Sequence, residues 1–234
     1  MNYGSILGNS FAYTKDGLLG NWGKWLLLFV SMVIFPLWWG YQWKIYRGES
    51  RMPPLDDWVG MFINGIKLFV VSIIYFLIPT IVFMVAGGAG IMMGGAADSL
   101  GAGALIGMLI GMVFLFVFSL IAMMGLIRFA RTDSFGEAFN FSAIIAHIGE
   151  IGWVSYVFAL VIFWIVAAVA AFVFSIAMGI ISVILVLIPF IGWLLAFLLS
   201  IVIAVLIGPF VGVFGTRYIT HIYDSAGAPA SMFR

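Results

Sequence analysis

Trp25-Leu26-Leu27-Leu28-Phe29-Val30-Ser31-Met32-Val33-Ile34-Phe35-Pro36-Leu37-Trp38-Trp39-Gly40-Tyr41-Gln42-Trp43 is the stretch on which the fold turns. It is apolar almost throughout, yet Pro36 and Gly40 interrupt it, and Lys24 and Lys44 stand at its two ends. A membrane helix needs about 20 apolar residues to cross roughly 30 Å of hydrocarbon, so the stretch is long enough to span and broken enough to turn back. Lys and Arg concentrate in cytoplasmic loops, which helps to choose. If residues 25–43 are re-entrant, Lys15, Lys24, Lys44, Arg47, Arg51, Lys67, Arg128, Arg131, Arg217 and Arg234 all fall on one side, and the loops 87–103 and 188–192 carry no basic residue. If they span, Lys15 and Lys24 change sides. The asymmetry favours a re-entrant segment, with a fifth span as the alternative.

The rest of the chain shares this texture. Of 234 residues, 65% are hydrophobic and 8% charged, with a mean hydropathy of +1.25. A soluble domain is about a quarter charged, so too little charge is present to coat a water-facing surface, which excludes a cytosolic enzyme or a nucleic-acid binder. The net charge of +1 provides no polybasic tail. The absence of Cys removes disulfides, thiolate catalysis and Cys-held metals. Asn2, Asn9, Ser10, Lys15 and Asp16 interrupt the first residues, unlike a secretory signal, so a retained N-terminus is expected.

Apolar runs at 68–86, 104–127, 151–187 and 193–215 are each long enough to cross a bilayer. The third is too long for one perpendicular crossing, and Gly179 is the expected point of yield. The segment Ile188-Pro189-Phe190-Ile191-Gly192 reads as the turn between the last two spans. Three amphipathic helices are expected in the headgroup layer. One covers 5–16, with Leu7 and Phe11 on its apolar side. Another covers 57–66, with Trp58, Met61, Phe62, Gly65 and Ile66 opposing Asp57, Gly60, Asn64 and Lys67. The last covers 134–149, opened by the capping-box spacing Ser134-x-x-Glu137, with Phe135, Phe139, Ile145 and Ile148 opposing Glu137, Asn140 and His147. The expected fold is an all-α, polytopic membrane helix bundle in one domain, with four spanning helices, a re-entrant or fifth N-terminal segment and amphipathic interfacial helices. A loose three-unit repeat is also visible, each unit closing on Gly and then aromatic and basic residues, at Gly40–Lys44, Gly125–Phe129 and Gly215–Tyr218.

Pro53-Pro54-Leu55-Asp56-Asp57-Trp58-Val59-Gly60-Met61-Phe62-Ile63-Asn64-Gly65-Ile66-Lys67 carries a more specific signal. Pro, then Asp-Asp-Trp, then Phe-x-x-Gly-x-Lys opening a membrane helix resembles a family of small prokaryotic, often archaeal, integral membrane proteins known only as a domain of unknown function. Gly40-Tyr41 and the 188–192 turn fit the same pattern, so the resemblance runs from about Trp22 to Tyr223. It implies a polytopic membrane protein and brings no activity, substrate or cofactor. The Gly-rich loop 87–103 is longer than the resemblance leads one to expect.

Few residues invite chemistry. Asp56 and Asp57 are adjacent, so they point about 100° apart on a helix and read as caps rather than an acid pair. His147 and Glu150 have a metal-ligand spacing, but no span supplies the further Glu that such sites use, so an interfacial hydrogen-bonded pair is expected and no metal. Ionisable groups deep in a membrane are the usual mark of a transport path, and none lies well within the four runs. Tyr75, Pro79 and Thr80 mark a kink where Tyr75 and Thr80 could line a small polar cavity, packing being the competing reading. Gly103, Gly107 and Gly111 form a small-residue stripe for close helix packing within the chain or at an oligomer interface, with Ala167, Ala168, Ala170 and Ala171 as a second smooth surface. The loop before it, with Met92, Met93 and Asp98, lacks the Lys and Ser or Thr of a phosphate cradle. Trp22, Trp25, Trp38, Trp39, Trp43, Trp58 and Trp153 cluster towards the basic side, as interfacial anchors do.

The reading is of a non-catalytic, cofactor-free, multi-pass protein of the cell membrane, with basic loops and termini cytoplasmic. Its expected partners are membrane lipids, further copies of itself or a membrane complex, with no nucleic acid, and its expected role is scaffold or accessory subunit. The alternative is a channel or facilitator for a small neutral solute.

Overall fold

Pro36 stops one helix and starts another, because it lacks an N–H and restricts the residue before it. In the computed structural model, which describes residues 1–93, 102–186, 188 and 191–226, residues 25–43 are therefore two short helices. α2 (Trp22–Val33) and α3 (Phe35–Tyr46) have 12 residues each and meet at Ile34. At about 18 Å each, neither can cross a bilayer. The chain also returns towards its entry, since Lys24 Nζ at the start of α2 donates to the Met52 carbonyl at 3.1 Å, beyond the end of α3. The segment is thus a pair of short helices rather than one continuous spanning helix.

α1 (Tyr3–Leu18) precedes the hairpin and lies against the last helix, α9 (Gly192–Asp224). Its buried stripe is Ile6, Ser10, Thr14 and Leu18, one step around from the expected Leu7 and Phe11; Phe11 is exposed, edge-on to Phe210. Ser10 and Thr14 can be buried because each hydroxyl donates to the carbonyl four residues earlier, at 2.7 and 2.9 Å.

Among the described residues, α4 (Trp58–Met93), α5 (Ala102–Thr132), α8 (Trp153–Val186) and α9 are the four helices long and apolar enough to cross a membrane. All but α8 extend well beyond the apolar run that marks them. The segment 57–66 is accordingly the opening of α4 rather than a separate interfacial helix, and the start of the expected Gly-rich loop continues α4 to Met93; residues 94–101 lie outside the description. Pro189 and Phe190 of the expected last turn, and Leu187 at the end of the run before it, also lie outside it. α8 runs unbroken through Gly179.

The segment 134–149 divides into α6 (Phe135–Ala138) and α7 (Phe141–Ile151). The capping box does not form. Ser134 makes no side-chain cap bond and Glu137 turns to Arg128, while Asn140 caps α7 by accepting from Ala143 N at 3.2 Å. α7 buries Ile144, Ile148 and Ile151, whereas Phe135 and Ile145 are exposed. Gly152, with φ of +89°, then breaks α7 from α8 in a conformation that costs glycine nothing.

Both core clusters sit at one end of the bundle. One joins α4 up to Tyr75, α5 from Leu120, α7, α8 up to Leu160 and the end of α9; the other joins α1, α2, α3, Met61 and Val213. We call this end the base. Met1 lies beside Ser225 there. Beyond it, among the described residues, α8 after Leu160 and α9 before Val213 add only the partly buried Phe163 and Phe210 at the edges of these clusters. These outer portions are about 39 and 31 Å long, enough to cross the hydrocarbon layer.

Candidate functional site

The Pro53–Lys67 motif builds the corner between α3 and α4. Gly40 faces the Met61 carbonyl and Gly65 the Pro36 carbonyl so closely that a Cβ on either would fall inside the opposing backbone. The two glycines thus let antiparallel helices cross backbone to backbone, where dispersion contact is greatest. Tyr41 Oη donates to the Pro53 carbonyl and Lys44 Nζ to the Pro54 carbonyl, both at 3.0 Å. Asp57 Oδ1 accepts from Gly60 N at 2.9 Å and caps α4. Asp56 pairs with Lys44 at 3.1 Å, and the hydrogen bond from Lys44 holds its carboxyl below the usual range. The adjacent acids therefore have separate structural partners.

A layer of ion pairs closes the base. Lys67 pairs with Asp133 at 3.2 Å, Arg128 with Glu137, and Arg131 with Asp224 at 2.6 Å. The Arg128 hydrogen bond depresses the Glu137 carboxyl. Arg131 Nε also donates to the Tyr46 carbonyl at 2.5 Å. His147 Nε2 meets the Tyr223 carbonyl at 3.0 Å and its ring stacks on Tyr223. Burial lowers the His147 pKa, while Glu150 is exposed. No group of three metal-ligating side chains occurs among the described residues.

Tyrosine hydroxyls staple neighbouring elements together, Tyr13 to the Arg51 carbonyl at 3.4 Å among them. Besides Tyr41, Tyr75 donates to the Ala138 carbonyl, Tyr156 to Leu120 at 2.9 Å and Tyr218 to Ala159 at 2.8 Å. Tyr75 is buried and Thr80 exposed, so the structure does not bring them to one cavity. Of the glycine stripe, Gly107 and Gly111 are buried, and Gly111 packs on Phe83 of α4; the surroundings of Gly103 lie outside the description. The stripe thus serves packing within the chain at Gly111, while Ala168, Ala170 and Ala171 remain exposed.

The tryptophans divide. Trp22 and Trp153 are exposed and Trp38, Trp39 and Trp58 partly so, whereas Trp43 is core, edge-on to Phe129 at 4.7 Å. Trp25 is also buried, and its indole Nε1 donates to the Val205 carbonyl at 3.0 Å. Pro209 lies four residues after Val205 in α9 and has no N–H to offer that carbonyl. Trp25 supplies the missing donor.

Two features were not singled out from the sequence. Arg217 is buried, with its guanidinium carbon 4.5 Å from the centre of the Tyr13 ring and with Nε and Nη1 lacking any hydrogen-bond partner. Its place just past the apolar run 193–215 made it look like a solvent-facing end. Beside Tyr13 lies a polar cavity of about 450 Å³ between α1, α2 and the 47–53 connection, lined by Tyr13, Asp16, Asn21, Lys24, Ser50 and Arg51 among others. Burial pushes the Tyr13 hydroxyl up to about 12 and lowers the Lys24 ammonium.

A family model described as a protein of unknown function, DUF4013, matches residues 25–181, more than half of the chain. The chain belongs to the DUF4013 family. The match takes in the hairpin, the Pro53–Lys67 corner and most of α8, in agreement with the resemblance to a family of unknown function read from that motif; the 188–192 turn lies outside the matched residues. In this DUF4013 chain, α1 and α9, with Tyr13 and Arg217, lie outside the matched residues. No curated protein and no solved structure matches the chain.

Proposed function

We propose that this membrane protein is a non-catalytic accessory or scaffold subunit that offers α8 and α9 to a partner. The observation that carries this is the near-complete exposure of those two helices. In their most apolar windows, 11% and 6% of residues are buried, against 28% in α4 and in α5. Membrane helices associate through close packing rather than the hydrophobic effect, and small residues favour it. The exposed Ala168, Ala170 and Ala171 of α8 offer such a surface, flanked by Trp164 and Phe172 at 68% and 66% exposure. Gentle solubilisation followed by mass measurement tests the reading. The expected particle contains more than one 25.6 kDa chain or a second protein, and Ala168→Trp disrupts it. A strictly monomeric wild-type particle overturns the proposal.

The orientation follows from charge. Lys15, Lys24, Lys44, Arg47, Arg51, Lys67, Arg128, Arg131 and Arg217 all belong to the base or its connections, which supports an orientation with the base at the cytoplasmic face of the cell membrane. Because the chain has no Cys, single cysteines report on this directly. Asn9→Cys and Arg47→Cys, both at exposed positions, should resist an impermeant thiol reagent in intact cells, while Ile191→Cys should label. The reverse pattern refutes the orientation.

A further inference from the structure

The cavity beside Tyr13 has the composition of an anion site. Lys24 spends one of its three N–H groups on the Met52 carbonyl, leaving two to donate. Arg51 adds a second cation, Ser50 a hydroxyl, and the N-terminus of α2 opens at Asn21 on the same wall. Behind Tyr13, the buried Arg217 guanidinium adds positive potential that no hydrogen bond to Nε or Nη1 offsets. The lowered pKa of Lys24 reflects an ammonium short of solvation, a deficit that a bound anion would relieve. Asp16 is the one carboxylate on the wall. The side chains lining the cavity therefore sum to a single positive charge, which matches a phosphodiester better than a free phosphate carrying about −1.5 to −2.

The adjoining surface indicates what carries that phosphodiester. Trp22, Leu26, Val30 and Val33 lie along one face of α2 at spacings of four, four and three, and are exposed by 62, 56, 45 and 71%. The opposite face, with Trp25 and Leu28, is buried. A helix with this division lies with its exposed apolar face among acyl chains. The polar cavity begins at its first turn, where Lys24 and Asn21 sit, so charged walls and a lipid-facing surface are contiguous. The volume of about 450 Å³ is within the roughly 300–1,000 Å³ of small-molecule sites.

We propose that this cavity binds the phosphodiester headgroup of one membrane phospholipid, held by Lys24 and Arg51, with its chains lying along the exposed face of α2. Bound there, the lipid ties α1, α2 and the 47–53 connection together at the membrane surface. The test is native mass spectrometry of the full chain in detergent, titrated with phosphatidylglycerol, with diacylglycerol of the same chains, and with inorganic phosphate. One phosphatidylglycerol should be retained, with diacylglycerol at least about tenfold weaker, a difference of about 1.4 kcal/mol. Lys24→Gln/Arg51→Gln should lose a similar factor while keeping the wild-type unfolding temperature. Equal retention of diacylglycerol overturns the proposal, and displacement of the lipid by equimolar inorganic phosphate assigns the cavity to a soluble anion instead. The comparison of lipids on the wild-type chain decides the matter even if the double variant does not fold. Because retention is read on the single chain, its result is independent of whether a protein partner is found.

Discussion

The base and the outer halves of the long helices are made from the same apolar vocabulary and behave as different materials. In the base, helices cross backbone to backbone at Gly40 and Gly65, tyrosine hydroxyls reach carbonyls on neighbouring elements, and ion pairs link α4, α5, α6 and α9. In the outer halves, Ser175 and Ser200 donate to carbonyls three residues back in their own helices, and Gly179 has open space around it. Hydrophobicity alone does not hold helices together in lipid, so geometry and hydrogen bonds decide where a membrane protein is compact. The base has both throughout; among the described residues, outer α9 is tied to another element by the Trp25 bond to the Val205 carbonyl, and outer α8 is largely exposed.

The strongest way to break this contrast is to add one methyl group on each side of it. Gly40→Ala or Gly65→Ala forces a Cβ into the opposing backbone and should cost about 3 kcal/mol or abolish folding. Gly179→Ala meets nothing within 4 Å and should leave the unfolding midpoint unchanged or raise stability by up to about 1 kcal/mol. Denaturant unfolding followed by circular dichroism reads both, and equal effects would dissolve the distinction.

Hydroxyl removal is the next largest contrast. Tyr156→Phe or Tyr218→Phe removes a bond to a carbonyl on the facing helix, which keeps its own intrahelical donor, at a cost of about 0.5–1.5 kcal/mol. Ser175→Ala and Ser200→Ala remove bonds internal to one helix and should fall within about 0.5 kcal/mol of wild type. Trp25→Phe should cost at least as much as the tyrosine variants, because it exposes the gap in hydrogen bonding that Pro209 makes in α9.

The smallest effect is on pH. Burial depresses the His147 pKa in the folded chain, so between the ordinary histidine value of about 6.5 and the lower folded value the unfolded state binds more protons. Stability from this group is complete above the unfolded pKa and is lost as pH falls through the folded one. The unfolding temperature of wild type should drop on acidification from pH 7.5 to 5.5 more than that of His147→Gln. Identical pH profiles would remove His147 from the account.

The apolar runs at 68–86, 104–127, 151–187 and 193–215 located all four long helices, because a bilayer demands length and hydrophobicity that no soluble element needs. The extension of α4 was legible as a helix at 57–66 but not as part of the span, and those of α5 and α9 were not legible as helix, since Arg131, Thr216 and Arg217 look like loop or interface until tertiary packing buries or pairs them. The capping box at Ser134 was misread because Arg128, nine residues from Glu137 along the chain, outbids the cap. Trp43 and Trp25 looked like interfacial anchors because aromatic composition does not say which face of a helix meets lipid. Arg217 was invisible as a site, as its burial depends on α1, more than two hundred positions away in sequence.

The Trp25 to Val205 bond spans 180 residues. During synthesis the hairpin emerges with its indole N–H waiting, and the backbone position that receives it follows 180 residues later. α2 is thereby joined to α9 only once that later helix has been made. A chain cut short before α9 keeps the hairpin sequence but loses its clasp, and the Trp25 indole N–H is left without the carbonyl it meets in the folded chain.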